Sequence, residues 1–174
     1  MKINFKITLV LITVSFILFV FFLSLGQKSQ YDTRDLIGKK IDNFNLKTLE
    51  GEKNITEVDL MDNEYTLINF WASWCSPCRA EHKYLIKIKN NLGLKILGVN
   101  FKDKNKNAID FLNELGNPYS YIVKDNSGKH SIKFGVYGIP ESILINKDLI
   151  VVKKFIGPIK KEDLELISKI LKNL

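Results

Sequence analysis

The 174-residue sequence predicts an α/β domain, with helices packed on a mixed sheet, preceded by one membrane-spanning helix. Three observations support this prediction. Residues 7–25 carry no charge, residues 66–72 and 94–101 are apolar runs that are each followed by helical periodicity, and a strand-like pair closes on a turn at 147–148. Strand and helix in alternation build parallel strands, whereas a hairpin adds antiparallel ones, so the sheet should be mixed.

Composition excludes several classes of protein. Hydrophobic residues make up 45% and charged residues 26%, which a wholly disordered chain would not reach. Two cysteines are too few for a disulfide-stapled scaffold or a four-cysteine metal site. The formal net charge is +7, but the lysines near Asp103 are interspersed with asparagines and no arginine-rich segment occurs. We therefore expect no nucleic-acid binding.

The N-terminal segment is predicted to anchor the chain in a membrane. Residues 7–25 would form a helix roughly 28 Å long at about 1.5 Å per residue, close to the ~30 Å hydrocarbon core. Lysines precede the segment, which favours a cytoplasmic N-terminus. A cleaved signal peptide is the main alternative, but its apolar core would usually be shorter and end at small residues. We expect an anchor at 1–25, a tether at 26–40 and a domain at 41–174.

The first half of the domain is predicted to contain a hairpin, a strand and a helix. Alternating apolar residues and a turn at Gly51 indicate a short hairpin within 43–57. The mostly apolar run 66–72 suits a buried strand. Pro77 fits the first turn of a helix, where its missing N–H costs nothing, and the apolar spacing continues to Gly93, a natural C-terminal stop.

The second half repeats the alternation and ends in a hairpin and a helix. Its predicted strands lie at 94–101, 119–123, 142–146 and 150–156, and its predicted helices span 108–115 and 164–174. Residues 126–138 contain glycine and are expected to be irregular.

A C-x-x-C pair, Cys75 and Cys78, stands at the predicted junction of strand and helix. Two cysteines across a first helical turn can close into a small disulfide that opens easily. Cys75 would lie where helix N–H groups stabilise a thiolate and lower its pKa, so it suits the attacking role in disulfide exchange. Cys78, one turn further, suits the resolving role. Trp71 and Trp74 would shield the pair on one side.

Three other uses of the cysteine pair are alternatives to disulfide exchange. A purely structural disulfide would not need the start of a helix. A zinc site would need two more ligands, and His82 and His130, both expected on the surface, lack the spacing of a zinc finger. Covalent haem attachment requires histidine directly after the second cysteine, where this chain has Arg79. The exchange chemistry itself requires no prosthetic group and no metal.

Glu81 is a candidate proton acceptor. It shares a helical face with Leu85 and Ile88, so it should be partly buried near Cys78. A desolvated carboxyl has a raised pKa and can exchange protons near neutral pH, which would let it deprotonate Cys78. The alternative is an acid that only interacts with the helix dipole.

Pro140 and its neighbours form the third candidate group. A proline just before a strand blocks ladder pairing on one side and leaves backbone free to hold an extended substrate. The Ile139–Pro140 bond could be cis, although most bonds before proline are trans. Glu141 is a second candidate acid, with an exposed residue at the end of a strand as its alternative.

Two segments together resemble one family. LINFWASWCSPCRAEH at 67–82 is similar to the active-site segment of thioredoxin-fold proteins, and GVYGIPES at 135–142 narrows the match. With NFKD at 100–103 and LGNPY at 115–119, the chain resembles the CcmG/DsbE family, the membrane-anchored thiol:disulfide interchange proteins of cytochrome c maturation. The resemblance covers roughly residues 36–160 and the single N-terminal anchor.

The resemblance implies a fold, a location and partners. It implies a thioredoxin-like fold with an N-terminal β-hairpin extension, on the periplasmic side of the inner membrane. It also implies a reductant that acts on apocytochrome c or a thiol protein of cytochrome c maturation, with a transmembrane thiol reductase as electron donor.

The resemblance also implies roles for individual residues. The nucleophile role carries to Cys75, the resolving role to Cys78, the cis proline to Pro140 and the acidic active-site surface to Glu81 and Glu141. We expect Trp74 and Ile139 to support substrate binding. Asn69 stands where cytosolic thioredoxins have a buried acid, so Glu81 is a candidate to replace that acid. Ser142 stands where family members often have threonine.

Two rival functions use the same cysteines. An oxidase would run the exchange in the opposite direction, and only the resemblance separates it from a reductant. A copper-handling protein would use the thiolates as ligands for Cu(I), which favours soft donors, but no methionine or third ligand lies at suitable spacing.

Overall fold

The computed structural model describes residues 5–25 and 36–172, which belong to two separate units. The first unit contains α1, Phe5–Leu25, a helix of 21 residues. Its segment Phe5–Ser24 has a mean hydropathy of 2.8 and is long and apolar enough to cross a membrane, a test that a signal sequence would also pass. Within α1 the Thr13 hydroxyl donates to the carbonyl oxygen of Leu9 over 2.8 Å, so this polar group is satisfied inside the helix.

The second unit contains seven strands and five helices among its described residues. The strands are β1 Asn45–Lys47, β2 Asn54–Thr56, β3 Tyr65–Trp71, β4 Lys95–Phe101, β5 Tyr121–Asp125, β6 Glu141–Asn146 and β7 Val151–Ile156. The helices are α2 Val58–Met61, α3 Ser76–Leu92, α4 Asn105–Leu115, α5 Lys129–Lys133 and α6 Lys161–Lys172.

The main sheet is mixed, as predicted. Its strand order is β5-β4-β3-β6-β7, with β3 at the centre. Strands β3, β4 and β5 run parallel, whereas β6 is antiparallel to β3 and β7 is antiparallel to β6. The predicted N-terminal hairpin is also present, because β1 and β2 pair antiparallel. It reaches the main sheet at β5, where the N–H of Leu49 donates to the carbonyl oxygen of Ile122 over 2.9 Å.

The central strand β3 explains how the sheet positions polar side chains. Both faces of β3 are covered, so it appears in the sequence as a continuous apolar run. Leu67 and Trp71 belong to the core cluster on the side of α3, whereas Ile68 and Phe70 belong to the cluster on the opposite side. Because successive side chains of a strand point to opposite faces, Asn69 shares the α3 side with Leu67 and Trp71.

Two predicted elements need correction. The third parallel strand is Tyr121–Asp125 rather than 119–123, because Pro118 and the bond from the N–H of Tyr119 to Asn117 Oδ1 (2.9 Å) keep Tyr119 in the preceding loop. The segment 126–138 is not wholly irregular, because it contains α5. The carboxylate of Asp125 accepts from the N–H and the hydroxyl of Ser131, over 2.7 and 2.8 Å, and so organises this helix.

Most of the predicted tether, 26–40, lies outside the described residues. Its last residues run along β7, because the N–H of Gly38 donates to the carbonyl oxygen of Val151 over 2.8 Å. The N–H of Ile41 donates likewise to Leu149 over 2.9 Å. These bonds attach residues 38–41 to the edge of the sheet, and a domain boundary at residue 41 stays a prediction.

Candidate active site

The two cysteines lie at the start of α3 and form a disulfide. Cys75 is the N-cap residue, and its Sγ accepts from the N–H of Cys78 over 3.1 Å. Pro77 occupies the first turn, as the sequence predicts. Both cysteines are largely buried, with 5% and 2% exposed. Free N–H groups of a first helical turn stabilise negative charge, so Cys75 is placed to react as a thiolate once the disulfide opens.

The loop before Cys75 is held by the end of β4. The Asp103 carboxylate accepts from the N–H and the hydroxyl of Ser73 over 2.6 and 2.9 Å, and from Asn100 Nδ2 over 3.1 Å. Nε1 of Trp74 donates to the carbonyl oxygen of Lys102 over 3.2 Å. Lys102 has a φ of 45°, in the left-handed region that non-glycine residues rarely adopt. The residues around Asp103 in the sequence do not predict this contact, because Ser73 lies thirty positions away.

The two tryptophans near the pair have different surroundings. Trp71 is buried in the same apolar cluster as Cys75 and Cys78. Trp74 is 59% exposed and lies at the surface beside the disulfide loop. It also lines a surface groove with residues of the Pro140 loop, including Tyr137 and Ile139. Such exposed apolar surface next to a reactive pair is suited to contact with another polypeptide.

Glu81, one turn after Cys78, is only 1% exposed and lies in a network of hydrogen bonds. Its Oε1 accepts from Asn69 Nδ2 over 2.8 Å, and its Oε2 accepts from the N–H of Ile159 over 2.7 Å. Asn69 Nδ2 also donates to Ser142 Oγ over 2.9 Å, and the Tyr119 hydroxyl donates to Asn69 Oδ1 over 2.9 Å. Glu81 is therefore more deeply buried than the sequence predicts, and its partners come from other elements rather than from its own helix.

The surroundings of Glu81 change its titration. Burial raises the pKa of Glu81 to about 7, although the bonds from Ile159 and Asn69 oppose the rise. The charge of Asp163 on α6 adds to the rise. A carboxyl that titrates near neutral pH can both accept and return a proton under ordinary conditions.

The sequence predicts that His82 and His130 both lie on the surface. This is wrong for His82, which is buried and whose Nε2 lies 2.8 Å from the carbonyl oxygen of Gly116. The ring packs edge-on against Phe111, and burial lowers the pKa of His82. His82 and Glu81 are both buried on α3, and the His82 ring contacts Phe111 of α4. His130 is half-buried.

Pro140 lies immediately before β6. The Ile139–Pro140 peptide bond is cis. Pro140 is buried, Ile139 is half-buried against both core clusters, and the carbonyl oxygen of Pro140 accepts from the N–H of Gly157 over 3.0 Å. The loop before Pro140 thus ends at a fixed position on the sheet.

Glu141 is buried, so the alternative of an exposed residue at the end of a strand is wrong. Its Oε2 lies 2.8 Å from Lys154 Nζ, with 6% of the Glu141 side chain and 2% of the Lys154 side chain exposed. Glu141 Oε1 accepts from the N–H groups of Tyr137 and Gly138, each over 3.2 Å, and Lys154 Nζ donates to the carbonyl oxygen of Gly135 over 2.6 Å. The ion pair therefore holds the loop that leads to Pro140. Lys154 is not predictable as a buried residue, because it is one of two adjacent lysines in β7 and lysines in a strand usually indicate exposed side chains.

The geometry supports one kind of chemistry. A disulfide at a helix N-terminus, an exposed apolar surface beside it and a buried carboxyl near neutrality are the components of a thiol–disulfide exchange site. Among residues 5–25 and 36–172, no group of three or more His, Cys, Asp or Glu side chains is placed to hold a metal ion. Fold and site together define a thioredoxin-like thiol–disulfide oxidoreductase.

Comparison with known proteins assigns the family. Residues 36–171 match the Redoxin family model. The chain is 39% identical to the thiol:disulfide interchange protein HelX of Rhodobacter capsulatus, over 73% of this chain and 72% of that protein. It is 40% identical to the thiol:disulfide interchange protein DsbE of Pseudomonas fluorescens, over 71% of this chain and 68% of the relative. The chain therefore belongs to the Redoxin family, among the DsbE- and HelX-type thiol:disulfide interchange proteins, which confirms the resemblance.

Solved structures agree with the fold. The thioredoxin domain of a thiol-disulfide oxidoreductase from Bacteroides vulgatus superposes with a TM-score of 0.66 at 22% identity, over 78% of this chain and 98% of that domain. At this identity the likeness concerns the fold alone. The predicted thioredoxin-like architecture is thereby confirmed.

Proposed function

We propose that this protein is a membrane-anchored reductant that acts on the disulfide of apocytochrome c or of a thiol protein in cytochrome c maturation. The observation that carries the proposal is the Cys75–Cys78 disulfide, with Cys75 as the N-cap of α3. Identities of 39% and 40% to HelX and DsbE support the assignment to disulfide interchange. The reductive direction and the cytochrome substrate follow from the family resemblance.

The proposed reaction has two steps. The Cys75 thiolate attacks one sulfur of the substrate disulfide, a Cys75–substrate disulfide forms, and the other substrate sulfur leaves as a thiolate that takes up a proton. Cys78 then loses its proton and attacks Cys75 Sγ. The Cys75–Cys78 disulfide forms, and the second substrate sulfur leaves as a thiolate that takes up a proton. The cysteine pair supplies two electrons and the proton of Cys78, and the other proton comes from solvent.

Glu81 is proposed to accept the proton of Cys78 in the second step. Both residues lie on the buried side of α3, one turn apart, and the carboxyl has a pKa of about 7. A base is most effective when its pKa lies near the working pH, because it is then both ionised and strong enough to take the proton.

The loop at Pro140 is proposed to hold the substrate next to Cys75. Ile139 and Trp74 line the same exposed groove and supply apolar contact. Glu141, paired with Lys154, is proposed to keep the loop in place rather than to exchange protons.

The proposed location follows from α1 and the family resemblance. Residues 7–25 would cross the inner membrane once, with the tether 26–40 and the domain 41–174 on the periplasmic side. The oxidised pair would be reduced again by a transmembrane thiol reductase, because an oxidising compartment offers no soluble reductant.

A trapping experiment tests the proposed roles of the cysteines. In Cys78→Ser, Cys75 should still attack the substrate disulfide, but no second thiol is present to resolve the mixed disulfide. A covalent complex between Cys75 and the substrate should therefore accumulate in membranes. Its partner can be identified after non-reducing electrophoresis, with Cys75→Ser as the matched control. Equal yields of complex from the two variants would contradict the assignment.

The reduction potential of the cysteine pair tests whether the protein reduces or oxidises its substrate. We expect the Cys75–Cys78 couple of the full chain in detergent to have a reduction potential of about −270 mV against thiol buffers, as in thioredoxin. A value near about −120 mV, as in a strong oxidant, would reverse the proposal and make the protein a source of disulfides.

A further inference from the structure

The buried side chain of Asn69 connects two ionisable groups. Its Oδ1 accepts from the Tyr119 hydroxyl over 2.9 Å, and its Nδ2 donates to Glu81 Oε1 over 2.8 Å. The second hydrogen on Nδ2 reaches Ser142 Oγ over 2.9 Å. Every hydrogen-bonding atom of this amide is thus occupied within the core.

An asparagine amide has a donor end and an acceptor end, so its orientation matters. If the amide of Asn69 turned over, its oxygen would face the Glu81 carboxylate, and the two acceptors would repel each other. A protonated Glu81 could instead donate to that oxygen. The orientation of Asn69 therefore decides whether the ionised or the neutral form of Glu81 is favoured.

Packing around Tyr119 fixes its ring, so that its hydroxyl can hold the Asn69 amide in this orientation. Its ring stacks on Trp71 with 5.2 Å between the centroids. A Cβ atom at Gly98 of β4 would approach the Tyr119 ring to 2.7 Å, so a glycine there leaves room for the ring. Burial and the charge of Glu81 raise the pKa of Tyr119 well above its usual range, so the hydroxyl stays protonated and remains a donor.

We propose that Tyr119 is a positioning residue: by donating to Asn69 Oδ1, it turns the Asn69 amino group towards Glu81 and keeps that carboxyl available as a proton acceptor. The catalytic consequence rests on the proposed role of Glu81, whereas the effect on the carboxyl itself does not. In the sequence, Tyr119 belongs to the family-like segment LGNPY, and its position there predicts no particular role.

The other groups around Glu81 each raise its pKa, lower it or leave it unchanged. Asp163 on α6 raises the pKa of Glu81 through its negative charge, and the N–H of Ile159 lowers it. Cys78 lies on the same helix, one turn away, and Ser142 on β6 is neutral. Removing the Tyr119 hydroxyl should raise the pKa of Glu81, and removing the Asp163 charge should lower it. The two variants therefore serve as tests of opposite sign.

The experiment is a direct titration of the Glu81 carboxyl. Full-length protein in detergent, labelled with carboxyl-¹³C glutamate, is titrated by NMR, and Glu81→Gln identifies the resonance. We expect Tyr119→Phe, which keeps the ring, to raise the pKa of Glu81 by about one pH unit. Tyr121→Phe removes a hydroxyl on the other face of the sheet and should leave the titration unchanged. Asp163→Asn should move it downwards.

A kinetic measurement separates the inference from the proposed function. The rate of the second step, in which Cys78 releases a mixed disulfide at Cys75, is followed across pH. Tyr119→Phe should shift this profile upwards with the titration, making the step up to about tenfold slower below the shifted pKa. An unmoved titration overturns the positioning role, even if Glu81→Gln slows the step. If Tyr119→Phe shifts the titration of Glu81 but neither Tyr119→Phe nor Glu81→Gln changes the rate of the second step, Glu81 takes no part in the mechanism. The catalytic consequence of Tyr119 is then excluded as well.

Discussion

The two buried glutamates of the site differ in their partners rather than in their burial. Glu81 and Glu141 are 1% and 4% exposed. Within residues 36–172, Glu81 accepts from two neutral donors, the amide of Asn69 and the N–H of Ile159. Glu141 faces the ammonium of Lys154 at 2.8 Å and two backbone N–H groups.

The comparison shows how one residue type serves two purposes. A buried carboxyl without a cation is costly to ionise, so its proton comes off near neutral pH. A buried carboxyl with a close cation is held as an ion pair, and breaking the pair leaves a charge uncompensated. Glu81 is therefore suited to moving a proton, and Glu141 to holding the Pro140 loop.

The largest expected effect comes from breaking the ion pair. Lys154→Met should lower the free energy of unfolding at neutral pH by about 3–5 kcal/mol, because Glu141 would remain buried without a counter-charge. Urea unfolding followed by tryptophan fluorescence measures the loss.

Two further variants sharpen this measurement. Adding Glu141→Gln to Lys154→Met should recover part of the stability, since the uncompensated charge is gone. Lys106→Met breaks an exposed pair with Asp110 and should change stability little. A loss in Lys154→Met as small as that in Lys106→Met would mean that the buried pair contributes no more than a surface one.

The next effect is the pH dependence of stability due to Glu81. Its pKa is about 4.5 in the unfolded chain and about 7 in the folded one, so the folded state binds this proton more tightly. The stabilisation is fully present below pH 4.5 and is lost as the pH rises through about 7, a loss of up to about 3 kcal/mol. Urea unfolding of the oxidised protein between pH 4 and 8 measures it.

Glu81→Gln isolates this contribution. The difference in unfolding free energy between wild type and variant should change across the window from pH 4.5 to 7 and level off above it. Glu141→Gln provides the comparison at the other buried glutamate. A difference curve for Glu81→Gln that is flat with pH would show that the carboxyl is not shifted.

The smallest expected effect concerns a third carboxylate, at Asp103, which is half-buried and bonded to neutral donors. Asp103→Ala should cost about 1–2 kcal/mol of stability and loosen the Ser73–Trp74 loop, because the N–H of Ser73 loses its acceptor. Urea unfolding and the emission of Trp74 report the two effects. Asp110→Ala, on the exposed face of α4, is the control. Equal changes in both variants would contradict the role of Asp103 in holding the loop.

Elements with strong local signals were predictable. Pro77 and Gly93 bound a helix observed at Ser76–Leu92, because their effects on backbone conformation are local. The apolar run at β3 marked a strand covered on both faces. α5 was missed because Ser131 is fixed by Asp125, a contact that its own segment does not show.

The same distinction applies to the site. Cys75, Cys78 and Glu81 were recognisable because they share one helix, where spacing defines neighbours. The burial of His82 and Glu141 was not, since each depends on residues from a different element, Gly116 and Lys154. The sequence shows that Asn69 stands where cytosolic thioredoxins have a buried acid. Its bond to Glu81 is not predictable, because it forms only when β3 and α3 pack together.

The sequence by itself determined the anchor-like apolar helix, the alternation of strands and helices, and the reactive pair at a helix start. Each of these depends on residues within a few positions of one another. Only the tertiary structure decided which carboxyl titrates near neutral pH and which is held by a cation. The physical reason is that desolvation and charge pairing depend on what surrounds a group in space. The chain brings Asn69 and Ile159 to Glu81 from distant segments, and Tyr119 to Asn69 from another.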